Sequence, residues 1–364
     1  MLVGIVQYAV GARLTERFCA LPRRHPEVRL PVTIMKPLCG VDEMAELALE
    51  SFFLLDYPDY QLVFGVQDAS DPVLEIVTRL RARYPACDVA VMVNDTLHGS
   101  NRKVSNLINM LPLAKHDILV FSDADIHAPP YFLDDLVAAL DVPQTGLVTT
   151  LYTGLPSGPA LAARLGAAQI NQVFLPSALL ARKLGRQDCM GATMVISRVV
   201  LAESGGLTAL ENHLADDQVL GRRVVNAGYK VALSYNIPVA TVPEADLSAL
   251  FRHELRWART IRALVPLAYI GSILQTPLLW AVLTVFAAGF AWWSLVLLVL
   301  TVVARVIFAH RVEAALRLPR TREIWFFPLR DLFSIIIYIV SFMGSRVDWR
   351  GRSMIADSGR ATSS

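Results

Sequence analysis

Two carboxylates one residue apart, Asp123 and Asp125, directly follow an apolar segment, Ile118–Ser122, whose pattern indicates a buried strand. Residues two apart in a strand point to one face, so both acids would leave the sheet together at its carboxyl edge, where open α/β sheets bind ligands. Oxygen ligands at a rigid strand end suit Mg²⁺ or Mn²⁺ shared with substrate phosphates. Taken alone, the pair favours a solvated turn, since turns are rich in Asp.

Acidic side chains also stand at the ends of two other predicted elements. Asp68 follows the second predicted strand, and Asp216 with Asp217 begins a late helix. The first acid can accept hydrogen bonds from the base or ribose of a nucleotide, and one of the later pair can take the proton of an acceptor hydroxyl. Because helix N-caps prefer Asp, we assign the cap to Asp216 and the chemistry to Asp217.

A basic and aromatic face lies on a helix predicted over 247–263. His253, Arg256 and Trp257 are spaced i, i+3 and i+4, so they share one face. Arg256 can neutralise a leaving diphosphate, whereas Trp257 can pack against sugar or acceptor or serve only as a membrane-interface anchor. The apolar stripe and arginine-rich side of this helix are typical of a helix lying in a membrane interface.

Hydrophobic residues make up 54% of the 364-residue chain, and they are concentrated near its C-terminal end. The stretch 264–304 has no charged residue. As a helix it would be ~60 Å long at about 1.5 Å per residue, enough for two membrane crossings of about 20 residues each. We therefore predict two transmembrane helices over 264–310. A basic loop follows the second, and the positive-inside rule puts that loop and the catalytic domain in the cytoplasm.

The remaining segments are less specific. Residues 1–30 form a short apolar segment and a basic linker, and 345–364 form a polar tail. A third apolar segment, 324–344, is interrupted by Arg330 and Asp331, so we predict that it is re-entrant or interfacial. The net charge of +2 gives no electrostatic case for nucleic acid. The four cysteines lack metal-ligand spacing and are expected to be reduced thiols.

Alternating strands and helices over 31–246 predict an α/β domain with a mainly parallel sheet. Within it, a long apolar helix is predicted over 160–184. This helix can lie against the membrane or line an apolar groove, or it can simply face the protein core.

The ordered motifs resemble those of membrane-bound inverting glycosyltransferases of the GT-A fold. They are Gln67-Asp68, Ser122-Asp123-Ala124-Asp125, Ala215-Asp216-Asp217 and His253-Glu254-Leu255-Arg256-Trp257. Segments 36–42 and 103–107 bring the chain closer to the ceramide glucosyltransferases. Segments 98–110, 250–257 and 328–331 resemble the hopanoid-biosynthesis glycosyltransferases within that group.

The resemblance implies a Rossmann-like GT-A catalytic domain followed by transmembrane helices. It implies a UDP-sugar site with Asp68 at the uridine, Asp123 and Asp125 at the ribose and the metal-bound diphosphate, Lys103 near the nucleotide, Asp217 as the base, and Arg256 with Trp257 near the diphosphate and acceptor. His253 stands where the family usually has Gln or Arg. Lys103 has an alternative as an ordinary solvated lysine at a helix start.

The resemblance therefore implies that the protein is an enzyme of the bacterial inner membrane. It would transfer N-acetylglucosamine from its UDP donor to the hydroxyl of a lipid, bacteriohopanetetrol, with Mg²⁺ or Mn²⁺ as cofactor. A ceramide glucosyltransferase is the nearest alternative, with a sphingolipid as acceptor. A processive polysaccharide synthase and a non-catalytic nucleotide-sugar-binding membrane protein are the others.

Overall fold

The computed structural model describes residues 1–349 and 352–355, and the chain divides into two compact units. The sheet unit comprises Pro22–Gly158 and Arg186–Pro243. The helical unit comprises Met1–Leu21, Pro159–Gly185 and Glu244–Ser364. The chain therefore enters the sheet unit twice, and the helix predicted over 160–184 belongs to the helical unit.

The helices are α1 (Leu2–Cys19), α2 (Ala45–Glu50), α3 (Val73–Arg83), α4 (Arg102–Met110), α5 (Phe132–Leu140), α6 (Leu161–Gln169), α7 (Leu175–Lys183), α8 (Arg198–Glu203), α9 (Asp216–Asn226), α10 (Leu247–Leu264), α11 (Pro266–Gly271), α12 (Pro277–Ala287), α13 (Trp292–Ala315) and α14 (Phe326–Ser341). The strands are β1 (Val32–Leu38), β2 (Tyr60–Val66), β3 (Asp88–Val93), β4 (Ile118–Ser122), β5 (Ile126–His127), β6 (Thr145–Thr149), β7 (Thr153–Pro156), β8 (Thr193–Ser197), β9 (Lys230–Leu233), β10 (Val239–Val242), β11 (Arg346–Trp349) and β12 (Arg352–Ile355). A π-helical segment, Ile170–Phe174, joins α6 to α7. The last two strands fall within the predicted polar tail, whose residues 350–351 and 356–364 lie outside the described residues.

The sheet unit is built on a seven-stranded sheet of order β3-β2-β1-β4-β8-β6-β9. Strands β1 to β4 pair in parallel, as the alternation of strands and helices predicts. Strand β8 is antiparallel to both of its neighbours, so the sheet is mixed. A smaller sheet of order β5-β10-β7 includes two short strands that the sequence did not indicate.

Apolar side chains cover both faces of the large sheet, so its central strands are buried on both sides. Alternate residues of one strand point to opposite faces, so Ile34 and Met35 of β1 belong to different cores. The first core also contains Phe52, Phe64, Val120 and Phe132. The second contains Val63, Leu107, Phe121 and Leu220. This two-sided burial fixes the carboxyl end of β4, where Asp123 and Asp125 follow.

Helix α4 lies unusually close to β2 at Gly65. A Cβ added there would meet Met110 Sδ at 2.3 Å and Asn106 Oδ1 at 2.4 Å. The Asn106 side chain also donates a 2.8 Å hydrogen bond to the Gly65 carbonyl. The absence of a side chain at Gly65 therefore fixes the position of α4, which carries Lys103 near its start.

The amphipathic pattern predicted over 247–263 forms α10, whose apolar stripe is covered by protein only in part: Leu250 is buried, whereas Leu247 and Ile261 are exposed. Leu250 packs with Phe326 and with the helix that begins at Leu161, and Leu255 packs near Ile337 of α14. Buried Ala162, Leu165 and Ala168 share the first of these clusters, which favours the core-facing alternative for the 160–184 helix. A membrane-interface location for α10 stays a prediction.

Among the described residues, one continuous helix is long and apolar enough to cross a membrane, Trp292–Ala315, with a mean hydropathy of 2.2. The other predicted crossing is divided into Pro266–Gln275 and Pro277–Ala287, which meet at 59°. The prediction of two crossings is thus not established by length and composition. The predicted apolar N-terminal segment forms α1, which extends past the apolar run into charged residues.

The charges that interrupt 324–344 are paired inside the helical unit. Arg330 is fully buried and donates two 2.6 Å hydrogen bonds to the two carboxylate oxygens of Glu254. Arg305 donates a 3.1 Å hydrogen bond from Nε to Asp331 Oδ1. Both charges therefore have partners, and α14 is continuous from Phe326 to Ser341.

Replacing Glu254 by alanine is expected to destabilise the helical unit by about 3–5 kcal/mol, because the change leaves the Arg330 guanidinium buried without its partner. Thermal unfolding of the detergent-purified protein measures the effect. Glu46→Ala is the matched control, since the Glu46 pair with Arg79 is exposed and is expected to contribute less than about 1 kcal/mol. Equal shifts for the two variants would contradict the assignment.

Candidate active site

The turn that carries Asp123 and Asp125 is held by backbone hydrogen bonds to the residue before β8 and to β10. The Asp123 N–H donates to the Ala192 carbonyl at 3.0 Å, and the Thr241 N–H donates to the Asp125 carbonyl at 3.0 Å. The Asp123 side chain is 37% exposed and forms an ion pair. The turn is thus partly solvated, and its first carboxylate is paired with Lys103.

Lys103 connects this turn to the start of α9. Its Nζ lies 2.6 Å from Asp123 Oδ1 and 3.8 Å from Asp216 Oδ2. The same ammonium donates to the Gly191 carbonyl at 3.3 Å. Its side chain is only 15% exposed, so the alternative of an ordinary solvated lysine is wrong. Burial alone would lower the pKa of Lys103, but the nearby carboxylates of Asp123 and Asp216 raise it above its ordinary value.

The side chain of Asp216 is occupied by this network rather than by helix capping. Ala215 is the N-cap of α9, and Asp216 makes no capping hydrogen bond, so the predicted cap is wrong. Asn101 caps α4 by accepting from the Val104 N–H. Its amide donates to Asp216 Oδ1 at 3.4 Å, which links the starts of α4 and α9.

Asp217 lies next to Asp216 with a different environment. Its Oδ1 accepts from the Gln218 N–H at 2.7 Å, and a Cβ on Gly191 would lie 3.0 Å from its Oδ2. Burial and the adjacent Asp216 raise the pKa of Asp217 to about 7. A carboxyl with such a pKa suits general-base chemistry near neutral pH, because it can accept and release a proton there.

Lys36 is a site residue whose role the sequence did not indicate. It is fully buried on β1, and its Nζ donates to the Asp123 carbonyl at 2.7 Å and to Ser122 Oγ at 3.3 Å. The ammonium also lies 3.6 Å from the centre of the Phe52 ring. Burial lowers the pKa of Lys36 to about 7 in spite of Asp125 and Asp123. The available signal was a lysine inside a mostly apolar strand, since buried lysines are rare.

Asp68 follows β2, as predicted, and its side chain belongs to a local turn. Its Oδ1 accepts hydrogen bonds from the Ser70 N–H at 2.8 Å and the Ser70 hydroxyl at 2.7 Å. These bonds lower the pKa of the exposed Asp68 carboxyl. A role at a uridine stays a prediction.

The basic and aromatic face lies on α10, in the helical unit. The rings of His253 and Trp257 are in contact, with centroids 4.4 Å apart, so the predicted shared face is confirmed for this pair. His253 Nδ1 is hydrogen-bonded to the buried carboxylate of Glu244, which the sequence did not single out. Burial would raise the pKa of Glu244, but His253 and the nearby Arg256 hold it below its ordinary value. The roles of His253, Arg256 and Trp257 toward a donor stay predictions.

The carboxylate pair fits a metal ion that is shared with a substrate. The described part of the chain has no group of three or more His, Cys, Asp or Glu side chains arranged to hold a metal alone. Mg²⁺ usually takes only one or two carboxylates together with substrate phosphates and water. Burial and the neighbouring Asp123 raise the pKa of Asp125 to about 7, which is the repulsion that a bound cation would relieve.

Comparison with known proteins supports the reading of these motifs. The family model described as "Glycosyl transferase family 21" matches residues 1–362. Ceramide glucosyltransferase 3 of Caenorhabditis elegans is 26% identical over 242 residues, which are 65% of this chain and 51% of that protein. The ceramide glucosyltransferase of Candida albicans is 32% identical over 127 residues, which are 32% of this chain and 23% of that protein. The chain thus spans about half, or less, of these curated relatives.

A solved structure gives the fold. A mannosyltransferase from Pyrobaculum calidifontis, in complex with GDP-Man and Mn²⁺, superposes with a TM-score of 0.50 at 15% identity. The match covers 93% of this chain and 95% of that chain. At this identity the likeness concerns the fold alone, and it confirms the predicted α/β, GT-A-like architecture with the mixed sheet described above.

Proposed function

The chain belongs to glycosyl transferase family 21, and we propose that it transfers a sugar from a UDP-sugar to a hydroxyl group of a membrane lipid. The observation that carries the proposal is the cluster at the carboxyl edge of the sheet. There, Lys103 joins the turn after β4 to the start of α9. Open α/β sheets bind their ligands at this edge.

We further propose that Asp217 is the general base. Its carboxylate takes the proton of the lipid hydroxyl, and the hydroxyl oxygen attacks the anomeric carbon on the face opposite the diphosphate. The bond from the anomeric carbon to the diphosphate oxygen breaks, and UDP departs. A single displacement of this kind inverts the anomeric centre. The raised pKa of Asp217 supports the assignment, since the base must bind the proton reversibly near neutral pH.

Asp123 and Asp125 are proposed to hold Mg²⁺ or Mn²⁺, which when bound would neutralise charge on the diphosphate. Lys103 contributes positive charge at the same edge, and Asp68 is proposed to accept hydrogen bonds from the uridine. The resemblance alone supports roles for His253, Arg256 and Trp257.

Two finer assignments differ in sugar and acceptor. The first is N-acetylglucosamine transfer to bacteriohopanetetrol in the bacterial inner membrane, which rests on segments 98–110, 250–257 and 328–331. The second is glucose transfer to ceramide, which is favoured by the two ceramide glucosyltransferase relatives. Incubating the purified protein with each UDP-sugar and each lipid, followed by mass spectrometry of the lipids, tests both. Binding of UDP-sugar without transfer or hydrolysis would instead favour a non-catalytic protein.

Removing divalent metal is expected to lower transfer by at least about 100-fold, because the charge on the departing diphosphate would lose its counter-ion. EDTA treatment followed by readdition of Mn²⁺ or Mg²⁺ measures the effect. Asp125→Asn is expected to raise the metal concentration that gives half-maximal activity. Full activity in the presence of excess chelator would rule out the metal assignment.

A further inference from the structure

A short irregular segment precedes β8 and contacts three charged groups of the candidate site. This 189–192 segment consists of Cys189, Met190, Gly191 and Ala192, which form neither helix nor strand. Its first residue is fully buried, and its last is 8% exposed. Backbone N–H and C=O groups that are buried outside regular structure need partners elsewhere in the protein. Those partners therefore determine where the 189–192 segment lies.

On one side, the 189–192 segment is bonded to the turn after β4 and to the lysine beside it. The Ala192 carbonyl accepts from the Asp123 N–H at 3.0 Å. The Gly191 carbonyl accepts from Lys103 Nζ at 3.3 Å, and the same ammonium pairs with Asp123 at 2.6 Å. This end of the segment is therefore fixed to the turn by bonds of its own.

On the other side, the segment packs directly against α9. A Cβ added at Gly191 would lie 3.0 Å from Asp217 Oδ2. A Cβ added at Gly221 of α9 would lie 2.8 Å from the Cβ of Cys189. Gln218 also donates from Nε2 to the Cys189 carbonyl at 2.6 Å. Because these contacts leave no free space, the position of the segment limits where the Asp217 carboxylate can lie.

A threonine of the large sheet holds the middle of the segment. Thr149, the last residue of β6, is 1% exposed. Its hydroxyl accepts from the Met190 N–H at 2.8 Å and donates to the Met190 carbonyl at 2.8 Å. One side chain thus satisfies both backbone polar groups of Met190. Strand β6 lies between β8 and β9 in the sheet, so this attachment point is rigid.

We propose that the 189–192 segment positions the general base, and that Thr149 holds the segment in place. By fixing Met190, the Thr149 hydroxyl keeps the segment against α9 and so keeps the Asp217 carboxylate in one orientation. The alternative is that Thr149 contributes only to the stability of the fold. The inference rests on the proposed role of Asp217 in sugar transfer.

Replacing Thr149 by valine tests the proposal, because valine keeps the shape of the side chain and removes both bonds to Met190. The kcat for transfer is expected to fall by about 10-fold, since small displacements of a reacting group are costly. UDP-sugar binding, measured by calorimetry, is expected to change little, since the bonds of the segment to Asp123 and Lys103 remain. Thr149→Ser, which keeps the hydroxyl, is expected to restore most of the lost kcat.

Thr33→Val is the matched control. Thr33 is also a buried threonine of the large sheet, and it lies near the start of β1. Its hydroxyl donates to Gln61 Oε1 at 3.0 Å and accepts from the His116 N–H at 3.1 Å. The control therefore loses one donated and one accepted hydrogen bond, as Thr149→Val does. We expect similar melting temperatures for the two variants but an unchanged kcat for Thr33→Val.

A double variant with Asp217→Asn separates positioning from stability. If Thr149 acts through Asp217, adding Thr149→Val to Asp217→Asn is expected to lower kcat no further, whereas independent effects would multiply. Multiplying effects, or an unchanged kcat in the folded Thr149→Val variant, would overturn this proposal alone. Near-normal kcat in Asp217→Asn would overturn the assignment of the base and this proposal with it. If Thr149→Val fails to fold, Gln218→Met removes the bond to the Cys189 carbonyl and is judged by the same outcomes.

Discussion

Replacing Asp217 by asparagine is expected to lower kcat for sugar transfer by about 10³-fold while donor binding changes little. Asparagine has nearly the same shape but cannot accept the proton of the lipid hydroxyl. Steady-state transfer assays with calorimetric measurement of UDP-sugar binding separate the two effects. Near-normal kcat in the folded variant would show that Asp217 is not the base.

The pH dependence of the unmodified enzyme provides an independent check on the same residue. Burial and Asp216 raise the pKa of Asp217 to about 7, and only the deprotonated carboxylate can act as a base. The value of kcat is therefore expected to fall as the pH decreases below about 7 and to level off above it. Asp216→Asn is the matched control: it keeps the base, removes the neighbouring negative charge, and should shift the midpoint to lower pH.

Replacing Lys36 by methionine is expected to reduce kcat/KM by about 10- to 100-fold, the effect of losing a hydrogen bond from a charged group. Methionine keeps most of the side-chain volume but removes the donor to the Asp123 carbonyl and the Ser122 hydroxyl. Without these bonds, the turn that carries Asp123 and Asp125 is held less rigidly in the geometry that a cation needs. The metal concentration that gives half-maximal activity is therefore expected to rise.

Thermal stability distinguishes this positioning role from a purely structural one. Replacing a buried charge by an apolar group of similar volume is often neutral or stabilising, so the melting temperature of Lys36→Met should not fall. Lys115→Met, at an exposed pair with Asp88, is the control for removal of a lysine charge elsewhere in the sheet unit. A lower melting temperature with unchanged metal dependence would assign Lys36 to folding alone.

The positions of the strands in the large sheet, and of the acids that follow them, were predictable because both depend on local patterns. Ile118–Ser122 is a short apolar run, and a carboxylate directly after such a run has to lie at the sheet edge. The direction of β8 was not predictable in this way. It depends on pairing with β4 and β6, and the periodicity of a strand is the same in either direction.

Several features of the site could not be predicted because the partners lie far apart in the chain. The sequence shows Lys36 only as a charge in a strand, whereas its role depends on the Asp123 carbonyl. Aspartate is a typical N-cap residue, but the side chain of Asp216 is directed to Lys103 instead of capping α9. In α10, the apolar stripe was compatible with lipid or with protein, and α14 covers part of it.

The division of the helical unit among three separate stretches of chain limits how the protein can be shortened. A fragment cut before Glu244 would lose α10 to α14 but keep Pro159–Gly185, whose apolar side chains normally pack on those helices. Such a fragment is expected to aggregate, because the apolar side chains of Pro159–Gly185 would be exposed to solvent. A water-soluble catalytic fragment would require an internal deletion at this stretch, bridged by a flexible linker, in addition to trimming at both termini.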